Sequence, residues 1–136
     1  MDLAQLIRRY SSESACEEHL FQFRCDNGLR CRRCDDDSFV LVHSKTHSKS
    51  TSQKTLIECK SCHYQTSLKS GTIFQASKVP LRKWFIAAYL IANDKRKPDA
   101  EVMAQFLEVS KPTAQLLINK TEREMAEPTS FWKWIS

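Results

Sequence analysis

The apolar residues of this chain follow a helical period at both ends and a strand-like pattern in the middle. Residues 2–10 carry leucine and isoleucine at helical spacing, which predicts a short amphipathic helix. A second helix is predicted across "ACEEHLFQFR", capped by Ser12 or by Ser14, and Ser14 with Glu17 fits an S-x-x-E capping box. This helix should end before Asn27-Gly28, which is a strong turn signal.

Three short β-branched or aromatic runs predict strands in the middle of the chain: "SFVLVH", "KTLIEC" and "YQTSL". The first two are joined by a loop over residues 44–53 that is rich in Ser, Thr and Lys. Together the runs predict a small antiparallel sheet.

The helical period returns after Pro80, where "LRKWFIAAYLIAN" predicts a third helix. Asp99 is then predicted to cap "AEVMAQFL", and Ser110 to cap "KPTAQLLINKTEREMAE". The short connection "EVS" between these two helices has helix-turn-helix spacing. An αα-hairpin that only packs has the same spacing, and Glu108 occupies a turn position where DNA-binding versions often carry Gly.

Two copies of a C-x-x-C pattern, "RCRRC" and "ECKSC", flank the first two predicted strands. Structural zinc takes four ligands in a tetrahedron, and two thiolates on one tight turn can reach the same ion. The sequence therefore predicts one structural Zn²⁺ bound by Cys31, Cys34, Cys59 and Cys62. A redox role is disfavoured, because it calls for a single C-x-x-C on a βαβ unit.

The predicted fold class is α+β, with a small antiparallel zinc-ribbon sheet between N-terminal helices and a C-terminal helix-turn-helix bundle. The predicted division is N-terminal helices over residues 1–27, zinc ribbon over 28–76, helix-turn-helix over 77–127 and an aromatic tail over 128–136.

Several other residues could bind metal by type, but their setting favours structural roles. Cys16 and Cys25 lack a partner at ligand spacing and are predicted to be core residues. A filled four-thiolate shell excludes His63, which is expected at a strand edge. The acidic run at residues 35–37 is predicted to be a solvated turn.

Composition adds a moderate basic surplus, with 21 Lys and Arg against 16 Asp and Glu and a formal net charge of +5. Between His43 and Ile57 the chain holds Lys45, Lys49 and Lys54 and no acidic residue. The N-terminus has no apolar leader, and no stretch approaches the roughly 18 apolar residues that a membrane span needs. We therefore expect a soluble, cytoplasmic protein with no membrane association, in which six cysteines do not form structural disulfides.

The order of "SESACEEHLFQFR", "NGLRCRRC", "CKSCHYQTSLKSGTIFQASKVPLRKWFIAAYLI" and "MAQFLEVSKPTAQLLINKTER" resembles the N-terminal region of bacterial insertion-sequence DDE transposases. The resemblance spans about residues 2–125 and is most specific from the second C-x-x-C through residues 70–74 to Trp84-Phe85. It implies a zinc ribbon and helices that bind double-stranded DNA at the ends of the transposon, and a bacterial protein that is associated with the nucleoid. The first C-x-x-C turn departs from the family's C-P-x-C-G motif, because Arg32 and Asp35 stand at the Pro and Gly positions. Asp tolerates the left-handed conformation that Gly would supply, so the metal site should be retained.

In the resembled family, a catalytic RNase H-like domain would begin shortly after the helix-turn-helix, where this sequence ends at "EPTSFWKWIS". We therefore expect a binding module that is not itself an enzyme, either a truncated transposase or a stand-alone relative. A fragment of an active transposase is a further alternative.

Candidate DNA-binding residues lie on the predicted recognition helix, on the cysteine turns and in the basic loop. Lys111, Gln115 and Asn119 share one helix face, where Gln and Asn can pair with adenine and Lys can reach guanine or phosphate. Phosphate contacts are predicted for the basic residues of the ribbon: Arg32, Arg33, Lys45, Lys49, Lys54 and Lys60. The alternative is that these are ordinary solvated charges.

A second interpretation is a protein-interaction or transcription-regulatory zinc ribbon that does not contact DNA. The aromatic tail favours it, because Phe131, Trp132 and Trp134 are of the types that anchor interfaces. The same tail can instead fold back onto its own core.

Overall fold

The computed structural model describes residues 2–44, 54–75, 77–93, 99–128 and 130–132. Over these ranges the order of elements is α1 (Leu3–Arg9), α2 (Glu13–Asp26), β1 (Phe39–Ser44), β2 (Lys54–Cys59), β3 (Gln65–Ser67), α3 (Leu81–Asn93), α4 (Ala100–Leu107) and α5 (Lys111–Met125). The predicted α+β class is confirmed. The chain forms two compact units, a helical unit of Met1–Cys16 with Ser77–Ser136 and a ribbon unit of Glu17–Ala76.

Helix boundaries in the helical unit coincide with side-chain caps. Asp2 and Gln5 form a reciprocal capping box at α1, with Gln5 N donating to Asp2 Oδ1 at 2.8 Å. Asp99 caps α4, and Ser110 caps α5 by accepting from Thr113 N at 3.3 Å. The predicted caps at Asp99 and Ser110 are thus confirmed.

Ser12 caps α2, because its hydroxyl oxygen accepts from Ala15 N at 3.1 Å. Ser14 lies inside this helix, so the alternative capping box with Glu17 is not used. At the other end Gly28 has a φ of 84° and Leu29 N donates to Arg24 O at 3.1 Å, as in a Schellman C-cap.

The core of the helical unit forms around α3, which packs against α1, α4 and α5. Large apolar side chains at helical spacing on α3 are buried, and α4 and α5 add Met103, Leu107, Leu117 and others. Phe131 and Trp132 after α5 are also buried, with ring centroids 5.7 and 5.4 Å from that of Phe85. Part of the aromatic tail therefore packs within its own unit.

The beginning of α3 is capped from a distant part of the sequence. Both oxygens of the Glu13 carboxylate accept from backbone N–H groups of this first turn, at 2.7 Å from Leu81 and 3.3 Å from Arg82. A carboxylate at a helix N-terminus also interacts favourably with the helix dipole.

The sheet of the ribbon unit is antiparallel, with β2 between β1 and β3. Cys59 at the end of β2 pairs with Phe39 at the start of β1. Alternation along β2 buries Ile57 and Cys59 completely, and Leu68 and Phe74 cover the same small core. Among the helices described here, none is long and apolar enough to cross a membrane.

Candidate functional site

The first cysteine turn, residues 31–36, is a tight backbone loop. Cys31 O accepts from Asp35 N at 2.9 Å, and Cys31 N donates to Asp36 O at 2.9 Å. Asp35 has a φ of 63°, the left-handed conformation that the sequence predicted for this position. This conformation directly after Cys34 turns the chain back, so that Asp36 O accepts from Cys31 N.

The second turn repeats this geometry at residues 59–64. Cys59 O accepts from His63 N at 2.9 Å, and Cys59 N donates to Tyr64 O at 3.0 Å. His63, directly after Cys62, also has a φ of 63° and so matches Asp35 in position and conformation. His63 lies in this turn and not on a strand, since β3 begins only at Gln65; the expected strand-edge position was wrong.

Strand pairing brings the two turns together and places four sulfur atoms in one cluster. The Sγ atoms of Cys31 and Cys62 are 3.5 Å apart, as are those of Cys34 and Cys59, and all four lie within 4.8 Å of one another. A tetrahedron with Zn–S bonds of about 2.3 Å has sulfur–sulfur edges of about 3.8 Å. The donor set and its dimensions therefore fit a four-thiolate zinc site, in which every position is taken by protein.

Hydrogen bonding within the cluster separates the thiol pKa values. Burial raises the pKa of Cys31, but hydrogen bonds from the Cys34 backbone and from other groups in the turn lower it to about 7. A backbone hydrogen bond from Asp36 lowers the pKa of Cys34, yet the other thiols and burial raise it to about 12. The pKa of Cys62 is raised as well, because burial and the neighbouring thiols outweigh a backbone bond from Tyr64. A metal ion that binds here therefore displaces protons.

A side-chain hydrogen bond joins the two turns directly. The Ser61 hydroxyl donates to the Asp36 carboxylate, which also accepts from Asp37 N at 2.8 Å. The bond from Ser61, followed by that from Asp37, lowers the pKa of Asp36. The acidic run predicts only a solvated turn at this position, and no local signal identifies the partner of Asp36, which lies 25 residues away.

The other two cysteines lie apart from the cluster. Cys16 is fully buried in the helical unit, and its thiol donates to Tyr10 O at 3.9 Å, which confirms it as a core residue. Cys25, in the ribbon unit, is half-buried, and burial raises the pKa of its thiol.

The predicted DNA contacts fall on both units. Arg32, Arg33 and Lys60 are exposed on the cysteine turns, and Lys111 is exposed at the start of α5. Gln115 and Asn119 on α5 are also exposed and share one face, since Gln115 Nε2 donates to Asn119 Oδ1 at 2.9 Å. Lys54, at the start of β2, pairs through its backbone with Ser44 of β1. The other two candidates, Lys45 and Lys49, lie outside the described residues, as does Trp134 of the aromatic tail.

No protein-family model matches this chain, and no solved structure matches it. A curated protein of Halobacterium salinarum, described as an uncharacterized protein in transposable element ISH50, is 31% identical over 114 residues. The matched region is 82% of this chain and 37% of the relative, so this chain spans little more than a third of that protein's length. Over most of its own length, the chain is thus similar to part of a protein of a transposable element.

Proposed function

We propose that this chain is a zinc-dependent DNA-binding module of a transposase-related protein, with the DNA ends of a transposable element as its partner. The observation that carries the proposal is the four-thiol cluster, found in a chain that is similar to a transposable-element protein. One Zn²⁺ would be held by Cys31, Cys34, Cys59 and Cys62. A closed thiolate shell supplies folding energy and leaves no position for a reacting ligand.

The need for metal follows from the small core of the ribbon unit. The three strands contain 6, 6 and 3 residues, and few large side chains in the described part of this unit are fully buried. Ordering a residue's backbone costs about 1–2 kcal/mol, which so small a core does not offset. Structural zinc contributes on the order of 10–16 kcal/mol.

The DNA-binding part of the proposal is supported by the geometry of α4 and α5. The chain turns between them through Glu108, with φ 57° and ψ 48°, and α5 starts directly after the Ser110 cap. Its first turns present Lys111, Gln115 and Asn119 to solvent, so this face is available to a DNA groove.

Zinc content and DNA affinity test the two parts of the proposal. We expect elemental analysis to find one zinc per chain, and a Cys59→Ser variant to lose the metal and the native signals of the ribbon. Cys25→Ser is the matched control, because Cys25 lies apart from the cluster. A zinc-free chain that keeps its ribbon signals would contradict the metal assignment.

For DNA, fluorescence anisotropy with duplex at two salt concentrations gives the decisive comparison. We expect affinity to fall as salt rises, because phosphate contacts release condensed counterions. Absence of binding at low salt would reject the DNA-binding function and leave the zinc assignment standing.

We further propose that the chain alone carries out no strand transfer or DNA cleavage. Two-metal phosphoryl transfer needs converging carboxylates and ions with open coordination positions, which a four-thiolate site does not offer. Incubation with Mg²⁺ or Mn²⁺ and supercoiled DNA should leave the DNA intact. Nicking activity that co-purifies with the chain and is lost in an Asp35→Asn, Asp37→Asn variant would overturn this expectation.

A protein-interaction function is the second candidate, and one observation favours it. Val102 and Phe106, one turn apart on α4, expose 63% and 54% of their surface. Exposed apolar side chains of this size are of the kind used in protein interfaces. Phe131 and Trp132 are less suited, because a partner would have to displace them from their packing beside Phe85. The anisotropy experiment separates the two functions.

A further inference from the structure

A cavity of about 160 Å³ in the ribbon unit has a strongly cationic lining. Arg24 from α2 lines it, together with Arg30 and Arg32, the residues on either side of Cys31. No Asp or Glu is found among the described residues that line it, and the acidic group in the lining is the thiol of Cys31, which faces the proposed zinc site. Arg30 Nη1 donates to Asp35 O at 3.2 Å, which is a neutral acceptor. Three arginines that line one small cavity give it a positive potential, which favours an anion there.

Arg24 is the most informative of these residues, because its side chain is half-buried. Its Nη1 donates to Leu68 O at 2.7 Å, a neutral acceptor, and no ion pair of Arg24 occurs in the described part of the chain. Burial lowers its pKa, as expected for a cation removed from water without a counter-charge. A guanidinium has five N–H donors, so this site retains donor capacity for an oxyanion.

Part of the remaining lining can contact a phosphate group, and Leu29, Phe39 and Ile57 supply an apolar part that suits a larger molecule. Thr66 and Ser70 carry hydroxyl groups that can donate to phosphate oxygens, and Tyr64 adds a half-buried aromatic ring. Gly71, also at the cavity, has a φ of 80° and open space where a Cβ would be, so a ligand can approach the backbone there. The cavity volume of about 160 Å³ is far above the roughly 15 Å³ that one water molecule needs, so a larger polar group can enter.

We propose that this cavity binds a phosphate group, with Arg24 as its central bidentate donor and Arg30 and Arg32 completing the charge. Guanidinium groups match phosphate oxygens in a planar fork, which a lysine cannot reproduce. That the phosphate belongs to a DNA strand rests on the proposed DNA-binding function. The anion chemistry of the cavity does not depend on it.

Two-dimensional NMR of the zinc-loaded full chain tests the site with inorganic phosphate and with a short duplex as separate probes. We expect both probes to shift the backbone amide signals of Ser70 and Gly71. Shifts with inorganic phosphate alone would assign the cavity to a free phosphate, and shifts with both would assign it to the DNA backbone. If neither probe moves these signals, the inference is wrong, even if the duplex binds elsewhere on the chain.

The matched variants are Arg24→Lys and Arg8→Lys, since Arg8 is exposed in the last turn of α1, does not line the cavity and is not among the predicted DNA contacts. Both keep their charge, so neither should change the salt slope of duplex binding. We expect Arg24→Lys alone to weaken that binding, by about 10-fold, through loss of the bidentate fork. Equal affinities for the two folded variants would overturn the central role of Arg24.

Zinc content and thermal unfolding show whether Arg24→Lys still folds. If it does not, an Arg30→Ala, Arg32→Ala double variant replaces it, because both side chains are exposed. The phosphate-induced shifts of Ser70 and Gly71 should then disappear, and their persistence would contradict the inference. A chain that binds phosphate in the cavity but no DNA would refute the proposed function and leave this site intact.

Discussion

Asp35 and His63 occupy the same position in the two cysteine turns, and both have a φ of 63°. Most L-residues are strained in this left-handed region, although Asp and His are tolerated better than β-branched residues. At both positions the turn hydrogen bonds to Cys31 and Cys59 hold the backbone in place. At these two positions, the effect of a substitution should therefore depend on how well the new residue adopts a positive φ, more than on the chemistry of its side chain.

A pair of substitutions at His63 tests this conclusion. Glycine removes the steric cost of a positive φ, so His63→Gly should stabilise the zinc-loaded ribbon by up to about 1 kcal/mol. His63→Val should destabilise it by about 1–2 kcal/mol. The exposed contact between His63 and Glu58, at 3.8 Å, adds little. Thermal unfolding measures both, with Lys60→Gly as a control at ordinary φ; a gain in that control equal to that of His63→Gly would contradict the argument.

The thiol pKa values predict how zinc affinity depends on pH. Cys34 and Cys62, whose pKa values are raised, remain protonated at neutral pH and must lose protons to bind metal. Affinity should therefore rise by at least about 100-fold per pH unit near pH 8, since each released proton contributes a factor of about ten.

Below the Cys31 pKa of about 7, the proton of that thiol also competes with the metal and the dependence becomes steeper. The stability that zinc confers is thus present at high pH and lost as the pH falls. Chelator competition at several pH values measures this, and an affinity that does not change between pH 6 and pH 8 would contradict it.

At the scale of elements, α4 and α5 form a pair whose connection depends on Glu108. This residue is the C-cap of α4 in the left-handed conformation, and its backbone N–H donates to Ala104 O. Lys83 Nζ donates to Glu108 O at 3.4 Å, so the contact with α3 uses the backbone and not the Glu side chain. Because Glu108 stands where DNA-binding versions often carry Gly, the sequence predicted a strained or altered turn, and the structure shows the strained alternative, with a non-glycine residue in the left-handed conformation.

Glu108→Gly should therefore stabilise the helical unit by about 1 kcal/mol, because the strained side chain is lost and the backbone bonds are kept. Glu101→Gly is the matched control inside α4, where glycine should cost about 0.5–1 kcal/mol. Thermal unfolding followed by circular dichroism gives both values. A loss of stability in Glu108→Gly would show that its side chain contributes to the turn.

If the exposed face of α5 enters a DNA groove, some of its residues should contact phosphates and others should recognise bases. Lys111→Ala should lower the log–log salt slope by about one, as expected for the loss of one phosphate contact. Gln115→Ala should relax sequence preference and cost about 1–3 kcal/mol at the preferred site. Selection from a random duplex pool followed by anisotropy measures both. Unchanged slope and preference in the two variants would place recognition on another part of the chain.

At the scale of the whole molecule, the four-thiol cluster belongs to one of the two units. All four cysteines fall within Glu17–Ala76, and α3, α4 and α5 fall within the other unit. With the proposed Zn²⁺ bound, the two units would have different sources of stability, a metal cross-link in one and an apolar helical core in the other.

Removal of zinc by a chelator should consequently unfold the ribbon sheet and preserve most of the helical signal. Circular dichroism and amide NMR signals of β1 and β2 measure the two effects separately. Cys16→Ser should behave in the opposite way, destabilising the helical core while leaving the zinc bound. Loss of the complete helical signal on chelation would mean that the helical unit depends on the metal.

Local signals in the sequence were sufficient for the elements and for the choice of the four cysteines. The hydrophobic period and the capping residues predicted the bounds of α3, α4 and β2 closely. These signals are local, because each involves residues that are close together in the sequence. The paired C-x-x-C pattern identified thiols that the structure brings within 4.8 Å. The left-handed conformation of Asp35 was expected from the family resemblance, which places this residue at the Gly position of C-P-x-C-G.

Only the tertiary structure decided the contacts between residues distant in sequence. The register that pairs Phe39 with Cys59 places the Asp36 carboxylate beside Ser61, and a shift of one residue would separate them. The cap that Glu13 supplies to α3 and the cationic cavity around Arg24 likewise join distant segments. Local sequence propensity carries no information on these long-range contacts, because they depend on how whole elements pack.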